Sequence, residues 1–431
     1  MGERQQAVSD RPKKRIRDRP AGATQRPQRL LFQRISDRSN GVFGAAESVD
    51  QLREELRATS MNVGNLVHLE APAKMLRYSR REMRGRGAAD SANPTADEIN
   101  ANYDGVVLGY ANMIRRYDHL DEQLRLAKFE PLARDAEWLA AVKGDIFAMG
   151  LGIQDQLEPS AEAVDERLFV LLKLLNDKAK IFGVRGTETE AWLHSVGLKN
   201  ARALGCPSMF IYPRNVMGIR SPTRERPLRV ATAGRIQRNK DRKRLGAIVR
   251  IGEAFETSYV FQTDLYAAFR SQDTTAAVYN DATGEVLAEP VVARGRELDF
   301  DFKFRDYWMF RSTEKWRGFT IGKDAYFGDR FHGGVIFLQA GKPAIIVQND
   351  TRVKELTGFY DIPTATTEEI LSNDPVEILH ERLNEAALRK MRETYAVRYR
   401  QFYDVLRDAG LTLFNDITPD DVDAMVPNSN G

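Results

Sequence analysis

Short aliphatic runs recur along this chain, separated by helical stretches, and that alternation limits the fold more than any other feature. The runs lie at Tyr103–Gly109, Ile146–Gly152, Ile181–Val184, Ser208–Tyr212 and Arg229–Ala233. Each is of the kind found in strands buried on both faces of a parallel sheet. Between them, Tyr117–Leu126, Trp138–Val142, Val164–Asn176 and Glu188–Ser195 are expected to be helices. Strand and helix in alternation build βα units, hence a mainly parallel sheet covered on both sides.

The pattern occurs twice. Pro213 to Pro227 holds prolines and basic residues with few apolar ones, and it is expected to be a connector. After it come Arg229–Gly234, a basic helix-like stretch over 238–254, Tyr259–Thr263 and a long polar region over 271–306. Two consecutive α/β halves predict two doubly wound, Rossmann-like domains, at 46–215 and 228–415, with a cleft at the carboxyl ends of their strands. Asp374 to Leu406 is amphipathic and helical, and is expected to pack across the second lobe. Residues 416–431 are expected to be a tail.

The ends and the totals narrow the class of protein. Residues 1–40 hold 11 Lys and Arg against 4 Asp and Glu, a net +7, which leaves the remainder of the chain at −4. That stretch is also poor in large apolar residues, and residues 1–45 are expected to be a disordered tail. A solvated tail, or a weak contact with an acidic membrane surface or partner, fits such a segment. Without interleaved aromatics it carries no nucleic-acid signature. No stretch reaches the length and apolarity of a membrane span, so a cytoplasmic protein is expected, including one at the inner face of the membrane. The single Cys206 excludes an internal disulfide and any multi-cysteine metal centre. The histidines at 68, 119, 194, 332 and 380 show no ligand spacing, so neither a metal nor a cofactor is expected.

The stretch richest in chemistry is Gly328 to Glu355. Arg330 and His332 precede the glycine pair Gly333 and Gly334; an apolar run closed by Gly341 and a short aliphatic run ending near Asp350 follow. This predicts an extended end, a buried helix of about two turns, and a core strand. If 329–332 is extended, Arg330 and His332 share a face. They would stand at the mouth of a helix whose free N–H groups favour an anion. Asp350 and Arg352 are expected to form a buried ion pair or to cap the next helix. Cys206 is expected to be a small buried packing residue, and Tyr307, Trp308 and Phe310 core aromatics.

Several separated motifs resemble those of the polysaccharide pyruvyl transferase family over most of residues 58–363. They are Asn62-Val-Gly-Asn65, Met149-Gly-Leu-Gly-Ile-Gln154, Gly183-Val-Arg-Gly-Thr187, Gly205-Cys-Pro-Ser208, Arg330-Phe-His-Gly333 and Ala340-Gly-Lys-Pro-Ala344 with Asp350. The resemblance implies a fold like that of two-lobed glycosyltransferases (GT-B-like). It also implies transfer of a pyruvyl group from phosphoenolpyruvate to a saccharide or lipid-linked saccharide, forming a cyclic ketal and releasing phosphate. By the same resemblance, Arg330 and His332 fall on the motif associated with donor binding and catalysis, with His332 as catalytic residue and Gly333 beside it. Arg235 is the arginine nearest the end of the first strand of the second lobe, and so a further donor-binding candidate. Arg185 could face the cleft or pin the following helix. Asn62 and Gly64 could line the acceptor side or simply open a helix.

Phosphoenolpyruvate carries a phosphate and a carboxylate close together, which guanidinium groups match by paired hydrogen bonds. Protonation of its enol carbon needs an acid that works near neutral pH, and an imidazole is suited to that. The chain departs from the family where Asn-x-Gly-Asp ends in Asn65, and where Tyr110-Ala-Asn-Met replaces a glycine pair. The missing acidic residue at position 65 suggests one alternative, an inactive relative acting as a binding or scaffold protein in polysaccharide assembly; the two-lobed reading suggests another, a glycosyltransferase using a nucleotide sugar.

Overall fold

A computed structural model describes residues 28–33, 48, 50–51, 62–84, 94–234, 242–262, 280 and 282–426. The first lobe is built on strands β1 (Arg29–Gln33), β2 (Arg80–Arg84), β3 (Gly105–Gly109), β4 (Asn112–Ile114), β5 (Asp145–Ile153), β6 (Ala179–Val184) and β7 (Arg202–Ala203). They are ordered β2-β1-β3-β5-β6-β7, with β4 beside β5, and every pairing is parallel. The second lobe has β8 (Arg229–Thr232), β9 (Glu256–Phe261), β10 (Glu285–Val286), β11 (Asp306–Met309), β12 (Ala325–Gly328), β13 (Ala344–Gln348) and β14 (Thr364–Thr366). Their order is β10-β11-β9-β8-β12-β13-β14, antiparallel only between β10 and β11. Both halves are therefore doubly wound α/β units, and the architecture is the two-lobed one expected from the alternation of runs.

The buried runs behave as their composition requires. β3 is buried along its whole length, and β5 at every residue except its two ends. Helices begin where short polar side chains can accept from the first free N–H groups. Asp121 accepts from Leu124, Asp165 from Arg167 and Asn384 from Ala387.

Five expectations need correction. The segment 1–45 is not tail throughout: Leu30, Leu31 and Phe32 are buried in β1, between β2 and β3. Three consecutive large apolar residues supply that strand, and the polar average of their surroundings concealed them. Ser208–Tyr212 is not a strand, because Pro207 and Pro213 bracket it and neither can donate to a ladder. A 3-10 turn over Pro207–Phe210 and a short helix over Pro213–Met217 stand there instead, so the connector is partly helical. Tyr117–Leu126 and Trp138–Val142 are not separate helices, since Glu122–Ala141 is one helix carrying Pro131 inside it. The polar region 271–306 contains the helix Ala288–Glu297 and β10. Residues 416–431 are not simply tail, because Pro419–Asp423 is a helix with Val422 fully buried.

Buried polar contacts lock the lobes together. Arg317 of the second lobe donates to Glu70 of the first (2.7 Å) and to Gln339 (2.8 Å). Gln339 in turn donates to the Ser208 carbonyl (2.8 Å). Glu355 of the second lobe accepts from the backbone N–H (2.7 Å) and hydroxyl (3.0 Å) of Thr189 in the first. The helix Glu385–Asp408 crosses back: Phe402 stacks on Phe210 (4.3 Å between centroids) and the Tyr395 hydroxyl donates to the Met209 carbonyl. Among the described residues no helix is long and apolar enough to cross a membrane.

Candidate active site

In the second sheet the strand order reverses between β8 and β12, and the carboxyl ends of strands at such a point open a crevice. The chain leaves β12 there through Asp329 and Arg330. The Asp329 N–H donates to the Ala233 carbonyl (2.9 Å) and Arg330 Nε to the Gly234 carbonyl (3.2 Å), which ties the turn to the end of β8. Arg330 is extended, with φ −108° and ψ 110°, and the helix Phe331–Gln339 starts at the next residue. The extended stretch thus ends two residues before His332, which corrects the strand-face argument for pairing the two side chains. The turn from strand to helix brings them together instead, since Arg330, Phe331 and His332 line one pocket. The nine-residue helix and the core strand β13 stand where the apolar runs predicted them.

The pocket is a narrow one and lies between the lobes. From the first lobe, Arg185 enters at the end of β6, 5% exposed, with Nη2 3.4 Å from the Gly150 carbonyl. Asn62 and Asn65 line it too. The Asn62 side chain accepts from the Gly64 N–H (3.0 Å), and the Val63 N–H donates to the Gln262 carbonyl across the cleft (2.8 Å). Gly64 permits this approach: a Cβ there would stand 2.4 Å from Gln262 Oε1 and 3.3 Å from His332 Cβ. Arg352 of the second lobe is the third guanidinium, paired with Asp350 at 3.1 Å. Asp350 also caps the next helix by accepting from the Val353 N–H (2.8 Å). Of the two alternatives expected of Asp350 and Arg352, the helix cap is realised, while the ion pair forms but is partly exposed rather than buried.

Residues 62–351, most of the chain, match the polysaccharide pyruvyl transferase family. The chain belongs to that family. It is thus a transferase of polysaccharide pyruvylation, and its acceptor is a saccharide. No curated protein matches it significantly. Among solved structures it is similar to HepE from Anabaena in complex with UDP and glucose, at 10% identity over 88% of this chain and 100% of that one, with a TM-score of 0.45. It is also similar to a UDP-N-acetylglucosamine 2-epimerase (11% identity, 90% and 97% covered, TM-score 0.41) and to the wall teichoic acid polymerase TagF (9% identity, 89% and 90% covered, TM-score 0.36).

Positive charge and burial set the electrostatics of the transferase pocket. Burial, then His68, Arg185 and Arg352, hold the His332 imidazole well below its ordinary range. Burial first and Arg185 second push His68 down to about 4. Burial and Arg352 lower Arg185 to about 10. The described lining residues include no carboxylate. Groups of like charge crowded in a confined space favour an anion among them.

Of the residues expected from sequence, Arg330, His332, Arg185 and Asn62 line the pocket, while Gly64 and Gly333 pack beside it against Gln262. Arg235 lies outside the described residues. Gln154 is absent from the lining; its N–H donates to the Ile114 carbonyl. Sequence reasoning missed His68, Gln262 and the pocket role of Arg352. It also treated Cys206 as packing only. Cys206 is buried as expected, yet its Sγ lies 3.5 Å from His68 Nδ1 and 3.8 Å from His332 Nε2. The one available signal for His68 was its place three residues after the Asn62–Asn65 motif.

Proposed function

We propose that the transferase takes its pyruvyl group from phosphoenolpyruvate, and that the donor binds in the pocket between the lobes. One observation carries this: three arginines from separate segments, Arg185, Arg330 and Arg352, converge with His332 on one confined space whose described lining has no carboxylate. A donor with a phosphate and a carboxylate needs that number of cationic partners, and planar guanidinium groups suit both anions.

His332 then acts as the acid. The bound donor brings negative charge beside an imidazole otherwise held neutral, which favours its protonated form. The proton passes to the methylene carbon of the enol, and the electrophilic central carbon is attacked by a sugar hydroxyl, whose proton is taken up by the now neutral imidazole. Phosphate leaves with the C–O bonding pair, and a second hydroxyl closes the ketal and loses its proton. Asn62 and Asn65, on the first-lobe side, are placed to meet the acceptor.

The test is phosphate release from phosphoenolpyruvate with a panel of saccharide acceptors, using wild type, His332→Ala and Arg330→Ala. We expect release by wild type and loss of at least a hundredfold in each variant, with both variants still folded. Absence of release across the panel, together with tight binding of a nucleotide sugar, would favour the glycosyltransferase alternative. Loss of folding in both variants would make Arg330 and His332 structural.

A further inference from the structure

Three side chains from distant parts of the chain present soft donor atoms to one point. One ring nitrogen each of His68 and His332 and the Cys206 Sγ all lie within 4.8 Å of one another. We propose that they form a three-ligand site for a soft divalent cation, with Zn²⁺ the best match, whose fourth position opens onto the arginine-lined pocket.

Distance supports the assignment. With metal–sulfur and metal–nitrogen bonds of about 2.3 and 2.1 Å at a tetrahedral angle, sulfur and nitrogen ligands stand about 3.6 Å apart. The two sulfur–nitrogen separations here are 3.5 and 3.8 Å. A second, independent feature is the support behind the donors. His68 Nε2 lies 2.6 Å from the Tyr110 carbonyl, so Nε2 carries the proton and Nδ1 turns its lone pair toward the sulfur. A ring nitrogen donating to a backbone carbonyl is the usual support of a metal-bound histidine.

The cysteine is equally fixed. Its carbonyl accepts from the Tyr360 hydroxyl (3.2 Å), and its Sγ is 3.0 Å from Ser208 Oγ. Gly205 before it has φ +82°, and a Cβ there would stand 1.9 Å from Tyr360 Oη, so this loop cannot easily move. Binding breaks the S–H bond and forms a metal–sulfur bond, and the proton goes to solvent. The thiolate offsets one of the metal's charges. The neighbouring guanidinium groups favour an anion, such as inorganic phosphate, as the fourth ligand.

The metal uses the His332 lone pair that must otherwise hold a proton. This consequence rests on the proposed reaction: the metal-loaded enzyme is inactive, and a chelator restores it. The site would make the transferase sensitive to soft metals.

The test uses the full chain, stripped with a chelator and titrated with Co²⁺ as spectroscopic probe and Zn²⁺ as competitor. One Co²⁺ per chain is expected, with tetrahedral d–d bands and a thiolate-to-cobalt charge-transfer band. Cys206 is the only cysteine in the sequence, so that band has a single source. Cys206→Ser should abolish it, and His68→Gln should weaken binding at least tenfold. Absence of the band, or binding unchanged in both variants, overturns the site. In a phosphate-release assay Zn²⁺ should inhibit reversibly. A bound metal with undiminished turnover overturns the competition with His332. Failure of the metal-free enzyme to release phosphate counts against the proposed reaction and leaves the cobalt result to decide the site.

Discussion

Glu355 offers a direct measure of how the lobes are held at the pocket. The helix Thr187–Ser195 begins after Gly186, which has no side chain to cap it, and Glu355 of the other lobe supplies the acceptor instead. Glu355→Ala removes two buried hydrogen bonds to Thr189 and a counter-charge for Arg185. Loss of a cap costs about 1 kcal/mol, and loss of a buried bond to a charged acceptor about 1.5–3 kcal/mol. The two overlap, so about 2–4 kcal/mol is expected in urea unfolding, with faster amide exchange across 187–195. Glu355→Gln keeps an acceptor for the Thr189 N–H. Burial already raises the Glu355 carboxyl above its ordinary range, so its charge is held at a cost that the amide does not bear. The glutamine variant should therefore lose no more than about 1 kcal/mol. If the alanine variant unfolds like wild type, the helix is not capped across the cleft. If the glutamine variant is as unstable as the alanine one, the charge beside Arg185 matters more than the cap.

Two further outcomes follow from the same geometry. Arg317→Met strands Glu70, whose side chain is fully buried, with Lys74 (3.1 Å) and the Thr313 hydroxyl as partners, and should cost about 3 kcal/mol in urea unfolding; a cost under about 1 kcal/mol would mean that the lobes are held elsewhere. Arg352→Lys keeps a charge that can still meet Asp350 but loses the fork that matches an oxyanion. The KM for phosphoenolpyruvate should rise about tenfold with stability unchanged, and an unchanged KM would remove Arg352 from the donor site.

Where the chain was least legible, the local signal was averaged away or pointed elsewhere. β1 was lost because Leu30-Leu31-Phe32 is embedded in a basic, polar stretch. Ser208–Tyr212 looked like a strand because periodicity cannot separate a short buried strand from other buried segments; the flanking prolines were the better guide. His68 has no partner near it along the chain, since Cys206 lies far away in sequence. It becomes functional only beside His332, with ring centroids 6.2 Å apart although the residues are far separated in sequence.

By itself the sequence determined the two α/β lobes, the buried helix that follows Arg330 and the aliphatic strand β13. These follow from hydrophobic runs and turn residues, which act over a few positions along the chain. Only the tertiary structure decided which side chains meet. Arg185, Arg330 and Arg352 gather on one pocket, and His68, Cys206 and His332 on one point, because two sheets close on each other through Glu70–Arg317 and Glu355–Thr189. Proximity across a cleft depends on how whole lobes dock, and no spacing along the chain encodes that.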